Sequence, residues 1–431
     1  YPYYDINNDL CPWTEDNIAA AAAHKLPRTP EDLWLERLNY GNNSSEYTPD
    51  WTRSNGMIYA DHVLKGDETL FWIFNDNGGP HTESKGNAIG LEIRGQAFGF
   101  TTNDELNNMT FYSYEIINRS TYTLTNTYFS QWVDPDLGYA NDDYVGCDVN
   151  RGLGYCYNGS NVDGFGQSWA YGDQPPAVGV DFFQGPYMDP DGKDNPKFYS
   201  DSATFSGYCD RFLKSTDTLD QMAINGVNFG DGIVDNERFG MRRFVYHNND
   251  NGVCGDPNIA SEYYNMLQGI WRDNTKMMYG ANAHKLNGAS DIPCDFMFPA
   301  LTDVCNWGTK GRDPNPSLYG NHIDGWTEAN VNNAPEDRRF MQSAGPFTLK
   351  PGSVNYITVG IPWARASQGG AQASVEPLKR ADDKCQSLFE NCFKTLDGPD
   401  APDVTIRELE DELVLYISNN NRQANNYHET Y

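Results

Sequence analysis

Seventeen residues from Trp132 to Asp148, WVDPDLGYANDDYVGCD, carry five aspartates: Asp134, Asp136, Asp142, Asp143 and Asp148. Carboxylates at that density repel one another unless water, an ion or a partner takes up the charge. Calcium suits them chemically, because it accepts about six to eight oxygens from carboxylates, carbonyls and water, which short Asp/Asn/Gly loops supply. Pro135 and Gly138 bend the chain, so Asp134, Asp136 and Asp143 are expected to converge on one ion, with the carbonyl of Asn141 in support. Asp189, Asp191 and Asp194 form a second, weaker candidate, and Asp231, Asp235 and Glu237 a third. None has EF-hand spacing, and the competing reading is that Asp and Asn stand there because they make turns.

Other chemistry is sparse. The chain has no H-E-x-x-H, no G-x-S-x-G and no phosphate-binding G-x-x-x-x-G-K-[ST]. Ser168, in GQSWA, lacks the second glycine of a nucleophile turn. The seven histidines are scattered, and His81, His247 and His322 read as loop residues. Two carboxylates of a glycoside hydrolase would leave no sequence spacing to find. Trp132, Trp169, Trp307 and Trp326 lie near loops and are candidates for stacking on a ligand, although aromatics in β-rich chains more often fill cores or pair across strands.

The elements that must hold these residues are mostly strands. From Met57 onward, short β-branched and aromatic runs alternate with Gly, Asn and Asp, as in TLFWIF, MTFYSYEIIN and TYTLTNTYFSQWV. Strands that follow one another without intervening helices imply antiparallel pairing. The expected fold is mainly β, an antiparallel sandwich-like core with several peripheral helices and long loops. Helices are expected near 15–25, 30–40, 258–271 and 376–396. Asp256 should cap the third. Leu378, Ala381, Cys385, Leu388 and Cys392 recur on one face of the fourth. Pro351-Gly352 should separate two strands. Three parts follow: a helical segment and linker over 1–56, a β-rich main domain over 57–397 with a possible division near 250, and a new module from 398.

Nine cysteines suggest local staples. Cys147 and Cys156 bracket a Gly-rich turn and are expected to form a disulfide, with Cys294 and Cys305 a second candidate pair. Cys385 and Cys392 stand about 10 Å apart on a helix, too far to bond each other. The absence of C-x-x-C argues against zinc at the usual spacing.

A formal charge of −29 argues against nucleic acid and anionic membranes, which are held by clustered Lys and Arg. No run approaches the ~18 apolar residues that cross a bilayer, so no membrane insertion is expected. The chain begins at Tyr1 without a signal peptide and is expected to be a processed product or a piece of a longer protein.

The phrases YFSQWVDPDLGYANDDYVGCD, PPAVGVDFFQGP, YYNMLQGIWRDNT and DRRFMQSAGPFTLKPGSVNYITVG resemble stretches of large secreted proteins of Bacteroidota and related bacteria that carry a type IX secretion signal. The likeness covers roughly 57–397, and the tail from Pro399 looks like the start of a fibronectin type III or immunoglobulin-like module. It implies export, a secreted or cell-surface home and modular β architecture, and it transfers no catalytic residue. The expected function is a binding or structural protein, adhesive or facing a glycan or protein ligand, without catalysis and with calcium-stabilised loops. The alternative is an extracellular glycan- or peptide-degrading hydrolase, or an accessory domain of one.

Overall fold

Period-two alternation is realised as fifteen strands in a computed structural model that describes residues 66–195, 224–314 and 325–390 and the strands Asp403–Leu409 and Glu412–Ser418. The strands are β1 (Glu68–Asn75), β2 (Leu91–Gly99), β3 (Thr110–Asn118), β4 (Leu124–Val133), β5 (Asp143–Asp148), β6 (Leu153–Asn158), the short β7 (Val162–Asp163) and β8 (Gly172–Asp173), and β9 (Ala177–Gln184). They continue with β10 (Arg243–Asn248), β11 (Arg338–Leu349), β12 (Val354–Ile361), β13 (Trp363–Ala364), β14 (Asp403–Leu409) and β15 (Glu412–Ser418). Among the described residues two α-helices join them, α1 (Ala260–Leu267) and α2 (Val375–Glu390). The predicted helices at 15–25 and 30–40, and the start at Met57 of the strand-forming region, lie outside the described residues.

Every strand pair is antiparallel. The large sheet has eight strands in the order β1-β2-β3-β12-β9-β6-β5, with β13 also on β9, and a smaller sheet runs β10-β11-β4. The chain changes layers at its turns. Gly352, at φ 79°, lies between β11 and β12, which belong to opposite sheets. Pro351-Gly352 therefore separates two strands as expected, but it makes a crossing and not a hairpin.

One core lies between the layers. Val145, Cys147, Cys156, Val180, Phe182, Ile357 and Val359 of the large sheet meet Phe244, Phe340, Ala344 and Phe347 of the small one. The segment between β10 and β11 adds Trp271, Met277, Phe296, Phe298 and Trp326 to the same cluster. Each fully buried large apolar side chain contributes about 1.5–3 kcal/mol of transfer free energy. On the opposite face of the large sheet, Tyr155, Tyr157, Leu153 and Ala177 receive Val375 and Leu378 of α2. The apolar spacing read from the sequence is largely a buried face: Leu378, Ala381, Cys385 and Leu388 are buried. The described residues up to Ser387 form one compact unit; those from Leu388 belong to a second, in which β14 and β15 make a hairpin.

Three expectations need correction. Helix α1 is shorter than 258–271 and starts after Ile259 without a side-chain cap. Asp256 is drawn off instead by His247 Nδ1 at 2.8 Å, and Gly269 at φ 69° follows the helix end. Cys147 and Cys156 are both free, buried thiols. In the register, Cys147 faces Gly154 and Cys156 faces Val145, so the cysteines are diagonal neighbours. Diagonal positions stand about 7–8 Å apart, beyond disulfide reach. Cys147 Sγ instead lies 3.2 Å from the carbonyl of Met297, to which it donates. Cys294 is likewise a free buried thiol, not bridged to Cys305. Cys392 lies outside the described residues.

Candidate functional site

The two sheets differ in width, and the mismatch creates the site. Among the described residues three strands face a sheet of eight, so the inner face of β1, β2 and β3 extends past β4, an edge strand of the small sheet there. Between β4 and this overhang runs a groove of about 630 Å³. Its floor comes from alternate residues of the overhang, including Leu91 and Ile93 of β2 and Tyr112, Tyr114 and Ile116 of β3. Its other wall is β4 itself, every residue from Thr127 to Val133, continued by Asp134.

Aromatic geometry fixes the floor. Tyr112 and Tyr114 lie two positions apart on β3, with centroids 6.4 Å apart and planes only 9° apart. Trp72 meets Tyr114 edge-on at 6.4 Å, and Phe129 meets it from β4 at 5.9 Å. Trp72 can lie across β2 only because Gly95 has no side chain; a Cβ there would stand 2.4 Å from the indole. Burial, with a smaller contribution from Tyr112, pushes the Tyr114 hydroxyl up to about 12, so it remains a neutral donor and acceptor at all physiological pH.

Trp132 stands at the end of the groove and is 40% exposed. The rings of His247 and Tyr263 hold it at 4.4 and 5.7 Å. His247 is completely buried; its Nδ1 bonds Asp256, and burial holds its pKa below the usual histidine range. Asp256 in turn pairs with Arg339, whose Nε lies 2.8 Å from Asp134. A neutral imidazole and a guanidinium–carboxylate chain thus position the indole and the last carboxylate of the groove.

The five aspartates of the opening loop part company. Asp134 and Asp136 approach each other, and their third neighbour is Asp337, just before β11: one carboxylate oxygen from each lies within 4.8 Å of the others. This is the one such grouping of three among the described residues, and Arg339 already neutralises part of it. Burial and the charges of Asp134 and Asp337 raise the pKa of Asp136. Asp143 is buried elsewhere, accepting from Leu137 N at 3.1 Å, and burial pushes its pKa up to about 9. Asp142 accepts from Asn158 Nδ2 and Gly164 N. Asp163, which sequence reading passed over, collects Tyr139 N, Tyr171 N and Asn158 Nδ2. These carboxyls tie the loop internally.

Asp148 faces the opposite side of the large sheet, where Arg151 and Lys379 lie 2.9 and 3.2 Å away. Nearby, Asp181 of β9 and Asp382 of α2 are almost wholly buried, each with one oxygen that has no hydrogen-bond partner. Burial raises both, and the charge of Asp382 adds to the rise at Asp181. Two carboxyls so placed are the pair that acid–base chemistry would want, but they are sealed from solvent.

The two weaker acidic sets are joined across one loop pair, with at least one oxygen of each carboxylate accepting a hydrogen bond. Asp235 accepts the amides of Asp191 and Gly192 at 2.8 Å, and Asp194 those of Gly230 and Gly232 at 2.8 Å. Asp231 accepts from Ile233 N and Asn236 Nδ2, Asp189 from Thr348, and Glu237 from Asn195 N. Of the four tryptophans, Trp132 lines the groove and Trp169 is 69% exposed away from it. Trp307 and Trp326 are corrections: both are buried, and the indole of Trp326 donates to Ala281 O at 3.0 Å within an aromatic cluster. His81 bonds the carbonyl of Asp76, and His322 lies outside the described residues.

The tyrosines of β3 were read only as strand residues. Their alternation carries no mark that the opposing sheet stops short of them. Compared with known protein families and with curated proteins, the chain matches none.

Proposed function

We propose that this chain is a binding protein without catalysis of its own, and that its ligand is an elongated chain seated in the groove beside β4. One observation carries the reading: an open groove of about 630 Å³, within the range of ligand sites, floored by Tyr112 and Tyr114 and ended by Trp132 and Asp134. Aromatic side chains give large contact area at low ordering cost, and their polar tips orient a ligand. The acid pair best suited to hydrolysis, Asp181 of β9 and Asp382 of α2, is buried away from solvent, which weighs against the hydrolase alternative. A secreted or cell-surface home belongs to the same proposal and rests on the resemblance to exported proteins. The free thiols at Cys147 and Cys156 lend it no support.

The triad of Asp134, Asp136 and Asp337 has room for one more positive charge beside Arg339. Calcium is the proposed occupant when the groove is empty, at the weak affinity of extracellular sites.

A glycan array and a peptide array probed with the protein test the reading. Saturable binding that weakens at least tenfold in Trp132→Ala and in Tyr112→Ala is expected. Binding unaffected by either change would place the ligand elsewhere and overturn the groove.

A further inference from the structure

Eight residues in unbroken succession, Thr127 to Asp134, line one wall of the groove. Successive side chains of a strand point to opposite faces, so a groove against one face meets every second residue. Only a groove along the edge of a strand meets all of them. Among the described residues β4 is such an edge, with β11 as its one strand neighbour in the sheet. An edge strand presents backbone N–H and C=O groups as a template for another strand.

We infer that the ligand is an extended polypeptide that adds to β4 as a fourth strand of the small sheet, antiparallel to it. This rests on the groove being the binding site and names what fills it. Alternate side chains of the added strand would lie on the inner face of the overhang. Tyr112 and Tyr114 match that spacing, because their 6.4 Å separation is close to the two-residue repeat of an extended chain. The apolar surface to be covered is large: Leu70 and Phe74 of β1, on the same face, remain 62% and 46% exposed. The ligand should therefore alternate apolar with polar residues.

Charge sets its direction. Asp134 follows the C-terminal end of β4, and Asp136 and Asp337 stand beside it with the guanidinium of Arg339. In an antiparallel strand the ligand's N-terminal end reaches this place. A lysine or arginine at that end supplies the charge that calcium supplies in the empty groove, so the two should compete.

The test uses the full chain and a synthetic strand of about eight residues, the length that spans the groove wall at about 3.4 Å per residue. It alternates valine and threonine and begins with lysine. Copies N-methylated on one set of alternate amides or on the other are run beside it, with a neutral polysaccharide array, in EDTA and then in millimolar calcium. Expected are saturable binding, a tenfold or greater loss for one methylated set and little for the other, a tenfold loss in Tyr112→Ala, and weakening by calcium only when the lysine is present. Equal tolerance of both methylated sets would overturn strand addition. Polysaccharide binding that is lost in Tyr112→Ala, with no peptide binding, would overturn the polypeptide while keeping the groove as the site. A dimer abolished by Tyr112→Ala would replace the separate partner with a second copy. Binding of neither polymer, with no dimer, would overturn both the inference and the proposed function.

Discussion

The two halves of the eight-stranded sheet are built from similar strands and are used differently. At the β9-β6-β5 end both faces are covered, one by the small sheet and one by α2, and Leu153, Cys156 and Ala177 have no exposed surface. At the β1-β2-β3 end the inner face is half open, and large apolar side chains of β1 reach solvent. Coverage on two sides gives stability and leaves no room for a ligand. Coverage on one side leaves a surface whose burial is still available, which is what a binding partner can use.

Phe340→Ala should break the covered half most severely. The side chain is buried between the layers, and its loss should cost about 3–5 kcal/mol in chemical denaturation. Asp382→Asn should act in the opposite sense. The folded state raises this carboxyl above its unfolded value near 3.9, so its contribution is intact below that pH and is lost as pH rises. An amide carries no charge to bury, so the variant should be more stable than the parent at pH 8 and close to it at pH 4. A gain independent of pH would mean that the acid pair holds no proton. Tyr112→Ala, on the half-open face, should cost less than about 1.5 kcal/mol of stability, since the ring is only partly buried, while ligand binding falls at least tenfold. A stability loss as large as that of Phe340→Ala would erase the distinction between the halves. Smallest of all, calcium near its dissociation constant should stabilise the free protein by about 0.4 kcal/mol, an increment that EDTA or Asp136→Ala removes. A drop of several degrees in melting temperature on chelation would instead reveal a structural ion.

Much of the scaffold was legible because alternation and turn residues act locally. The runs around β1 to β4 and the apolar stripe of α2 announced themselves at the right places, and the mainly antiparallel β fold followed. What was not legible depends on residues far apart in sequence. Asp337 joins Asp134 and Asp136 across 200 positions, whereas Asp143, a near neighbour, faces the core. Trp307 and Trp326 looked available because loops surround them, yet those loops pack as a third contributor to the core. The insertion of β12 between β3 and β9 cannot be read from either strand. Nor can the groove, because it is a difference between the widths of two sheets.

The open edge of β4 also bears on how the protein behaves in concentrated solution. A strand edge beside exposed apolar surface invites one molecule to extend the next, the first step toward a fibre. With a formal charge of −29, molecules that approach edge to edge repel one another before their backbones can meet. That protection is long-ranged and therefore fragile: at about 0.1 M salt it decays over roughly 10 Å, and acid removes it by protonating carboxylates. The surplus of acidic residues acts as colloidal insulation for an edge left open, and shelf life should fail first where salt is high and pH is low.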